Sequence, residues 1–416
     1  MNDLKRMALE IGSLSIYKGI LTRAVPGALY RLLLAADRSE REFAEAWGAF
    51  FSVLCERGRS ENLAGCFTET ALYDENAFSL SAAAGKTDFP RNMADAVERD
   101  IRIIQKAASI TPEDVLSGCG FASETEPLGL PRWETGEPVG ELKGNSGECV
   151  RKIEAYYRAN GCGIYTRYRA FIWRNSRICP VAYPDSTMLA DLKGYEVQRS
   201  LAIDNTAAFL DGLPANNCLL YGDRGTGKSS TVKALLNQFY TKGLRMIEMP
   251  KESLSDFPLL VDEIAPLPMK FIIFIDDLSF SVQNETYASL KAVLEGGLAA
   301  RPENTLIYAT SNRRHLVRES FSDREGDEIH LGDTIQESLS LADRFGLSIN
   351  FSLPDRDGYL EIVRKLAAQR GIEDHGKELE EGAEQWAIVR GGRSPRCAKQ
   401  YVRFAEARIR RGLPLA

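Results

Sequence analysis

Residues 222–229 read Gly-Asp-Arg-Gly-Thr-Gly-Lys-Ser, the spacing Gly-x-x-x-x-Gly-Lys-Ser/Thr. The chemistry that needs this spacing is phosphate binding. Glycines let backbone N–H groups converge on an anion. A lysine here reaches β- and γ-phosphates, and the adjacent hydroxyl ligates Mg²⁺. The competing reading is a glycine turn followed by a chance lysine. The flanks favour the phosphate site. Cys218-Leu219-Leu220-Tyr221 reads as a buried strand, and Val232, Leu235, Leu236 and Phe239 fall at helical spacing. Strand, loop and helix together put a helix N-terminus against the anion. The expected nucleotide-contacting run is Gly222, Asp223, Arg224, Gly225, Thr226, Gly227, Lys228, Ser229 and Ser230.

Four further places carry candidate chemistry. Asp276-Asp277 closes an apolar run. Asp276 can hold Mg²⁺ opposite Ser229, and Asp277 can polarise an attacking water. The alternative is two acids capping a turn. Thr310-Ser311-Asn312 closes another run. The Asn312 amide can orient water at a γ-phosphate, or the Ser-Asn pair simply forms a turn. Arg344 in Ala342-Asp343-Arg344-Phe345-Gly346 precedes a fifth run. It can reach a neighbouring subunit's nucleotide and stabilise transition-state charge, or make an interface ion pair. Arg396, just after Pro395, can touch the γ-phosphate from a helical lid. Arg393 competes for that role, and an exposed arginine is the plainer alternative.

These residues need a scaffold. Five short apolar runs, 218–221, 245–249, 271–275, 305–309 and 347–351, are spaced like strands of a parallel sheet, with helical patterns between several of them. Ligands in such sheets bind at the carboxyl ends of the strands. After 355, Tyr359, Ile362, Val363 and Leu366 form a helical stripe, and so do Ala398, Tyr401, Val402 and Ala405. Residues 1–120 read mainly helical, with stripes at Leu4, Ala8, Ile11 and Leu14 and again between Phe43 and Leu54. Residues 121–190 read as a mixed linker and strand region. The Pro- and Gly-rich stretch 124–147 is expected as loop, a helix is expected over roughly 148–160, and Ile164–Trp173 is expected as a strand. The division expected is therefore 1–120, 121–190, 191–354 for the nucleotide-binding core, and 355–416 for the lid.

The chain has 416 residues, 44% hydrophobic and 26% charged, with a formal net charge of −6. That is globular composition. It argues against coating nucleic acid by bulk charge. No apolar run reaches membrane-spanning length and no secretion signal is read, so a cytoplasmic protein is expected. Eight scattered cysteines form no Cys-x-x-Cys pair, and with three histidines they suggest thiols rather than zinc.

Residues 190–411 resemble an AAA+ ATPase. Within that class the chain is similar to an uncharacterised bacterial AAA+ family, a domain of unknown function. The resemblance matches Gly222–Ser229 to Walker A and Phe271–Asp277 to Walker B. It matches Asn312 to sensor 1, Arg344 to the arginine finger and Arg396 to sensor 2. Leu192-Lys193-Gly194-Tyr195-Glu196 resembles the segment lining the adenine pocket, which brings in Tyr195. The implied fold is an α/β AAA+ core with a five-stranded parallel sheet and a C-terminal helical lid, preceded by a mainly helical region. The implied ligands are ATP and Mg²⁺. The implied assembly is a homo-oligomer that remodels a protein or nucleic-acid client. Two departures stand out. Walker B usually ends Asp-Glu, and here the second acid is Asp277. No aromatic-hydrophobic-glycine pore loop is present, and Phe257 reads as a core residue.

Three functions compete: an oligomeric Mg²⁺-dependent ATPase, an ATP-set binding switch with slow turnover, and a small-molecule kinase. The kinase leaves Asn312, Arg344 and the helical tail idle. The tail also carries Arg390, Arg393, Arg396, Lys399, Arg403, Arg408, Arg410 and Arg411. These form either a phosphate-binding stripe or a solvated helix face.

Overall fold

The computed structural model describes residues 3–121, 128–137, 140–278, 280–281, 294, 302–312, 317–318 and 344–415. They fall into two compact units. One is Met1–Arg167 with Pro266–Pro268, and the other is Tyr168–Ala265 with Met269–Ala416.

The first unit is helical. Its elements are α1 (Asp3–Gly12), α2 (Ala24–Ala35), α3 (Glu40–Glu56), α4 (Leu63–Leu72), α5 (Ala77–Ala83), α6 (Arg91–Ala108), α7 (Pro112–Gly118), α8 (Ser146–Asn160) and the single turn α9 (Ile164–Arg167). Leu4, Ala8, Ile11 and Leu14 are all buried, as their spacing requires. Residues 128–137 contain no α-helix or strand, yet they are fastened down. Trp47 Nε1 donates to the Pro131 carbonyl at 2.9 Å, and the Trp47 and Trp133 rings lie 4.9 Å apart. The fully buried Asp100 accepts backbone N–H groups of Ser15, Ile16 and Tyr17 on one oxygen at 2.8–3.1 Å. A buried carboxylate is tolerable here because the donors replace its water.

The second unit is built on a sheet. Its strands are β1 (Ala170–Trp173), β2 (Ile178–Pro180), β3 (Cys218–Gly222), β4 (Leu244–Glu248), β5 (Lys270–Ile275), β7 (Thr305–Ser311) and β9 (Leu347–Phe351), in the order β2-β1-β4-β5-β7-β3-β9. The two-residue strands β6 (Phe280–Ser281) and β8 (Val317–Arg318) pair separately. All neighbours in the large sheet are parallel except β1 and β2. Every residue of β7 and all but the first of β5 are buried. That is why these strands read as continuous apolar runs: central parallel strands are covered on both faces.

The five expected strands are present, but the sheet has seven. The expected strand Ile164–Trp173 is split. Residues 164–167 coil into α9, and only Ala170–Trp173 pairs, extending the sheet beyond β4. The β2 strand folds back on β1 with Phe171 opposite Pro180. A proline sits at the end of this edge, where no ladder donor is needed.

The helices α10 (Glu196–Leu210), α11 (Lys228–Phe239) and α12 (Phe257–Ile264) belong to the sheet region. Phe257 is buried at the start of α12. The chain ends in a three-helix lid, α13 (Arg356–Gln369), α14 (Gly376–Arg390) and α15 (Pro395–Arg410), packed on its own core of Tyr359, Val363, Ala398 and Tyr401. Asp355 caps α13 by accepting from the Gly358 amide, and Ser394 caps α15 with Pro395 following. No described helix is long and apolar enough to cross a membrane.

Candidate functional site

The strand order puts β7 between β5 and β3, so three carboxyl ends meet. Tyr221 on β3 is opposite Ser311 on β7, and Ala309 on β7 is opposite Ile275 on β5. Residues immediately beyond these pairs are therefore neighbours in space although far apart in sequence, as Thr310 and Asp276 are.

The turn after β3 is shaped by close backbone approach. Gly222 has φ +127°, and a Cβ there would lie 2.4 Å from the Phe351 carbonyl oxygen on β9. Only glycine fits without parting the two strands. Asp223 extends the same contact. Its N–H donates to the Phe351 carbonyl at 3.0 Å, and its Oδ2 accepts from Leu353 N at 2.8 Å. The loop then runs into α11, whose first turn presents Lys228, Ser229 and Ser230.

Asp276 gathers the hydroxyls beside it. Its Oδ1 accepts from Ser229 Oγ at 2.6 Å, from Thr310 Oγ1 at 2.5 Å and from Asp277 N at 3.2 Å. All three bonds end on one oxygen, so Oδ2 remains for a ligand. A hydroxyl and a carboxylate oxygen are hard donors, the set that suits Mg²⁺. Thr310 holds both acids, because its Oγ1 also accepts from Asp277 N at 3.0 Å. Asp277 itself is left-handed, with φ +52°. That backbone is uncommon outside glycine and costs about 1–2 kcal/mol, though Asp and Asn are tolerated there. It places Asp277 Oδ1 2.6 Å from Asn312 Nδ2, which donates to it.

Lys228 connects the two halves. Its buried ammonium donates to the carbonyls of Gly222 (2.9 Å) and Asp223 (2.6 Å) and to Asn312 Oδ1 (3.2 Å). Burial lowers its pKa. The carboxylates of Asp223, Asp277 and Asp276 oppose that shift, and Arg396 adds to it.

The lid closes one wall. Arg396 N donates to the Gly225 carbonyl at 3.1 Å, and a Cβ on Gly225 would meet Ser394 Oγ at 2.9 Å. The start of α15 therefore rests on the phosphate loop. Arg393 is committed elsewhere, gripping Glu384 through Nε (3.1 Å) and Nη2 (3.0 Å). Between lid and sheet lies a cavity of about 660 Å³, the size of a small-molecule site. Lys228, Ser229, Asp276, Asp277, Asn312 and Arg396 all line it. So do Arg224, Gly225, Thr226, Gly227 and Ser230, while Gly222 and Asp223 support the loop from behind.

Leu192 and Lys193 also line the cavity, as do Ile362 and Leu366 of α13. Tyr195 does not line it. It caps α10 in a left-handed conformation, stacks 5.2 Å from the Phe351 ring and donates its hydroxyl to the Ser352 carbonyl at 2.6 Å. Burial raises its pKa to about 12.

Of the lining residues that the sequence does not mark, Thr310 and Arg199 bear on the chemistry. Thr310 sat in a quoted motif without a role, because only the β5–β7 register brings it to Asp276. Arg199, in the first turns of α10, also lines the cavity. Nothing local marks it.

Arg344 is not brought to its own chain's cavity. It stands three residues before β9, whose first residue pairs with Cys218 and whose last pairs with Gly222. It is thus near the amino end of the sheet, about 23 Å of extended chain from Phe351. Ala342 and Asp343 lie outside the described residues. The basic tail is also dispersed. Arg396 and Lys399 line the cavity, Arg390 lies over the Trp386 ring, and Arg410 pairs with Glu406 at 2.7 Å.

Comparison with known proteins gives a family and distant structural neighbours. The Thermotoga maritima RuvB Holliday junction branch migration motor aligns at 14% identity over 55% of this chain and 67% of that one, with a TM-score of 0.36. Two point mutants of the same protein align at 13% and 14% identity, over 54% and 55% of this chain and 66% and 67% of theirs, with TM-scores of 0.36 and 0.37. The chain thus spans about two thirds of those proteins. No curated protein sequence matches it. A family model described as "Protein of unknown function (DUF815)" matches residues 166–409, more than half of the chain. The chain belongs to that family, and with the phosphate loop on β3, the acids after β5, and β3 lying between β7 and β9, its sheet has the arrangement expected of an AAA+ core.

Proposed function

We propose that this protein is an oligomeric AAA+ ATPase that binds ATP with Mg²⁺, hydrolyses it at subunit interfaces, and uses the cycle to remodel a macromolecular client in the cytoplasm. The observation that carries this reading is one hydrogen-bonded set around one cavity. Lys228 meets Asn312, Asn312 meets Asp277, and Asp276 gathers Ser229 and Thr310.

Each residue then has a task. Backbone N–H groups of the loop and the α11 N-terminus receive the β- and γ-phosphates. Lys228 exchanges its carbonyl partners for phosphate oxygens. Ser229 and Asp276 would hold Mg²⁺, which would supply positive charge to the β- and γ-oxygens. Asn312 orients the attacking water, and Asp277 accepts its proton at Oδ2. Arg396 holds the γ-phosphate from the lid, and Arg344 of an adjacent subunit completes the charge. Residues 1–120 and 121–190 select the client, 191–354 form the core and 355–416 the lid.

The test is phosphate release from ATP by the purified chain with and without Mg²⁺. Release that needs Mg²⁺ and vanishes in Lys228→Ala is expected. No release above background, or release that the variant retains, sinks the ATPase reading. A second reading, a slow binding switch, draws on the short Asp277 side chain being tied to Asn312. Tight ATP binding with no faster than spontaneous hydrolysis in a single turnover would select it.

A further inference from the structure

Arg199 is the buried cation in the cavity that the phosphate chemistry does not use. Its side chain is only 10% exposed. A guanidinium carries five N–H donors and no acceptor. Here one nitrogen donates to the Gly194 carbonyl, and Glu196 stands 3.7 Å from another. Glu196 is itself 62% exposed and shared with Lys365 at 3.3 Å. The guanidinium thus keeps donors that these two contacts do not use, and it lines the cavity, where a ligand acceptor can take one.

Position decides which acceptor. Arg199 is fastened to Gly194, and a Cβ on Gly194 would lie 2.8 Å from Ile362 Cδ1. Leu192, Ile362 and Leu366 line the same cavity as Arg199 and supply apolar wall to it. With phosphates on the loop, the nucleoside falls between these apolar walls. Apolar walls hold the flat faces of a base but leave its edge unpaired. The donor-only guanidinium matches an edge atom that carries a lone pair and no proton.

We propose that Arg199 is a specificity residue that donates an N–H to a ring nitrogen, N1, N3 or N7, of a bound adenine. This rests on the nucleotide-site reading above and adds a base-reading contact to it. The site would take purine nucleotides and reject any whose matching ring nitrogen is replaced by C–H, since that replacement leaves the arginine facing carbon.

The experiment is equilibrium binding of ADP and its 1-deaza, 3-deaza and 7-deaza analogues to the full chain, to Arg199→Met and to Arg199→Lys. The parent chain should bind one analogue at least about 10-fold more weakly than ADP, the scale of a hydrogen bond from a charged donor. Arg199→Met should bind that analogue and ADP alike, and Arg199→Lys should recover part of the preference. Binding of ADP by the parent chain with indifference to all three replacements overturns the assignment and leaves the nucleotide site standing. A preference that persists in Arg199→Met also overturns it. No ADP binding by the parent chain overturns both. The parent-chain comparison requires no variant to fold.

Discussion

Asn312 donates from Nδ2 to Asp277 Oδ1 at 2.6 Å while its own Oδ1 accepts from Lys228 at 3.2 Å. One amide thus spans the acid proposed as base and the cation proposed for the phosphates. Asn312→Ala should lower kcat by about 10- to 100-fold with ATP affinity nearly unchanged. Asp277→Asn should lower it by about 100-fold or more. Asparagine tolerates the left-handed backbone at 277, so the fold should survive, and the melting temperature is the control. Turnover within 2-fold of the parent in Asp277→Asn would remove Asp277 from the base role.

The lowered pKa of Lys228 gives a signed dependence on pH. Its ordinary value is 10.5, and burial brings the folded value below that. Below the lowered value both states hold the proton, and the penalty of burying it is fully present. As pH rises through the lowered value towards 10.5, the folded chain releases the proton first, and the penalty is relieved. The nucleotide-free parent should therefore gain stability relative to Lys228→Met as pH rises through the lowered value towards 10.5. Melting curves of the two proteins across that range test it, and a constant or reversed gap would refute it.

The phosphate loop was readable because its chemistry is contiguous. Gly222 to Ser229 form one turn, and the strand and helix beside them have local periodicities. Asp276, Asn312 and Arg396 were readable as polar residues at the ends of recognisable elements. What escaped depends on pairing between distant strands. The double role of Thr310 follows from Ile275 lying opposite Ala309, which no window of sequence contains. The left-handed turn at Asp277 and the burial of Arg199 likewise arise from tertiary packing. The β1–β2 edge escaped for a different reason. Ile178–Pro180 is three residues long, too short for a period, and α9 interrupts the apparent run before β1.

Two lid arginines competed for the γ-phosphate, and their partners separate them. Arg393 is held by Glu384 through two bonds, whereas Arg396 lines the cavity beside Lys228. Arg396→Ala should lower kcat by at least about 10-fold. Arg393→Ala should leave kcat within about 2-fold, because a rim ion pair contributes little. Steady-state kinetics on both variants decide it, and the opposite ranking would transfer the role to Arg393.

Arg344 lies near the amino end of β9, and the phosphate loop lies at the carboxyl end of β3 beside it. The finger role proposed for Arg344 therefore calls for a neighbour's site rather than its own chain's. Arg344→Ala and Lys228→Ala should each be inactive alone. Mixed, they should regain part of the ATPase activity, since an intact Lys228 site then faces an intact Arg344. Activity titrated against mixing ratio measures this. Failure of every ratio to restore hydrolysis, with oligomers confirmed by light scattering, would rule out an arginine acting between subunits.

Thr310 carries the last prediction because it touches no ligand in the proposed scheme. Its hydroxyl donates to Asp276 Oδ1 and accepts the Asp277 amide, so it sets both acids at once. Valine has the same shape and neither function. Thr310→Val should cost about 1–2 kcal/mol in stability for the buried partners left short. It should also raise the Mg²⁺ concentration needed for half-maximal hydrolysis, because Asp276 is no longer steadied. A residue that only packs the strand end would lower the melting temperature and leave the Mg²⁺ dependence alone. Thr310→Ser keeps the hydroxyl and should restore the Mg²⁺ dependence even if packing suffers. A Mg²⁺ titration identical in the parent, valine and serine proteins would reduce Thr310 to a packing residue.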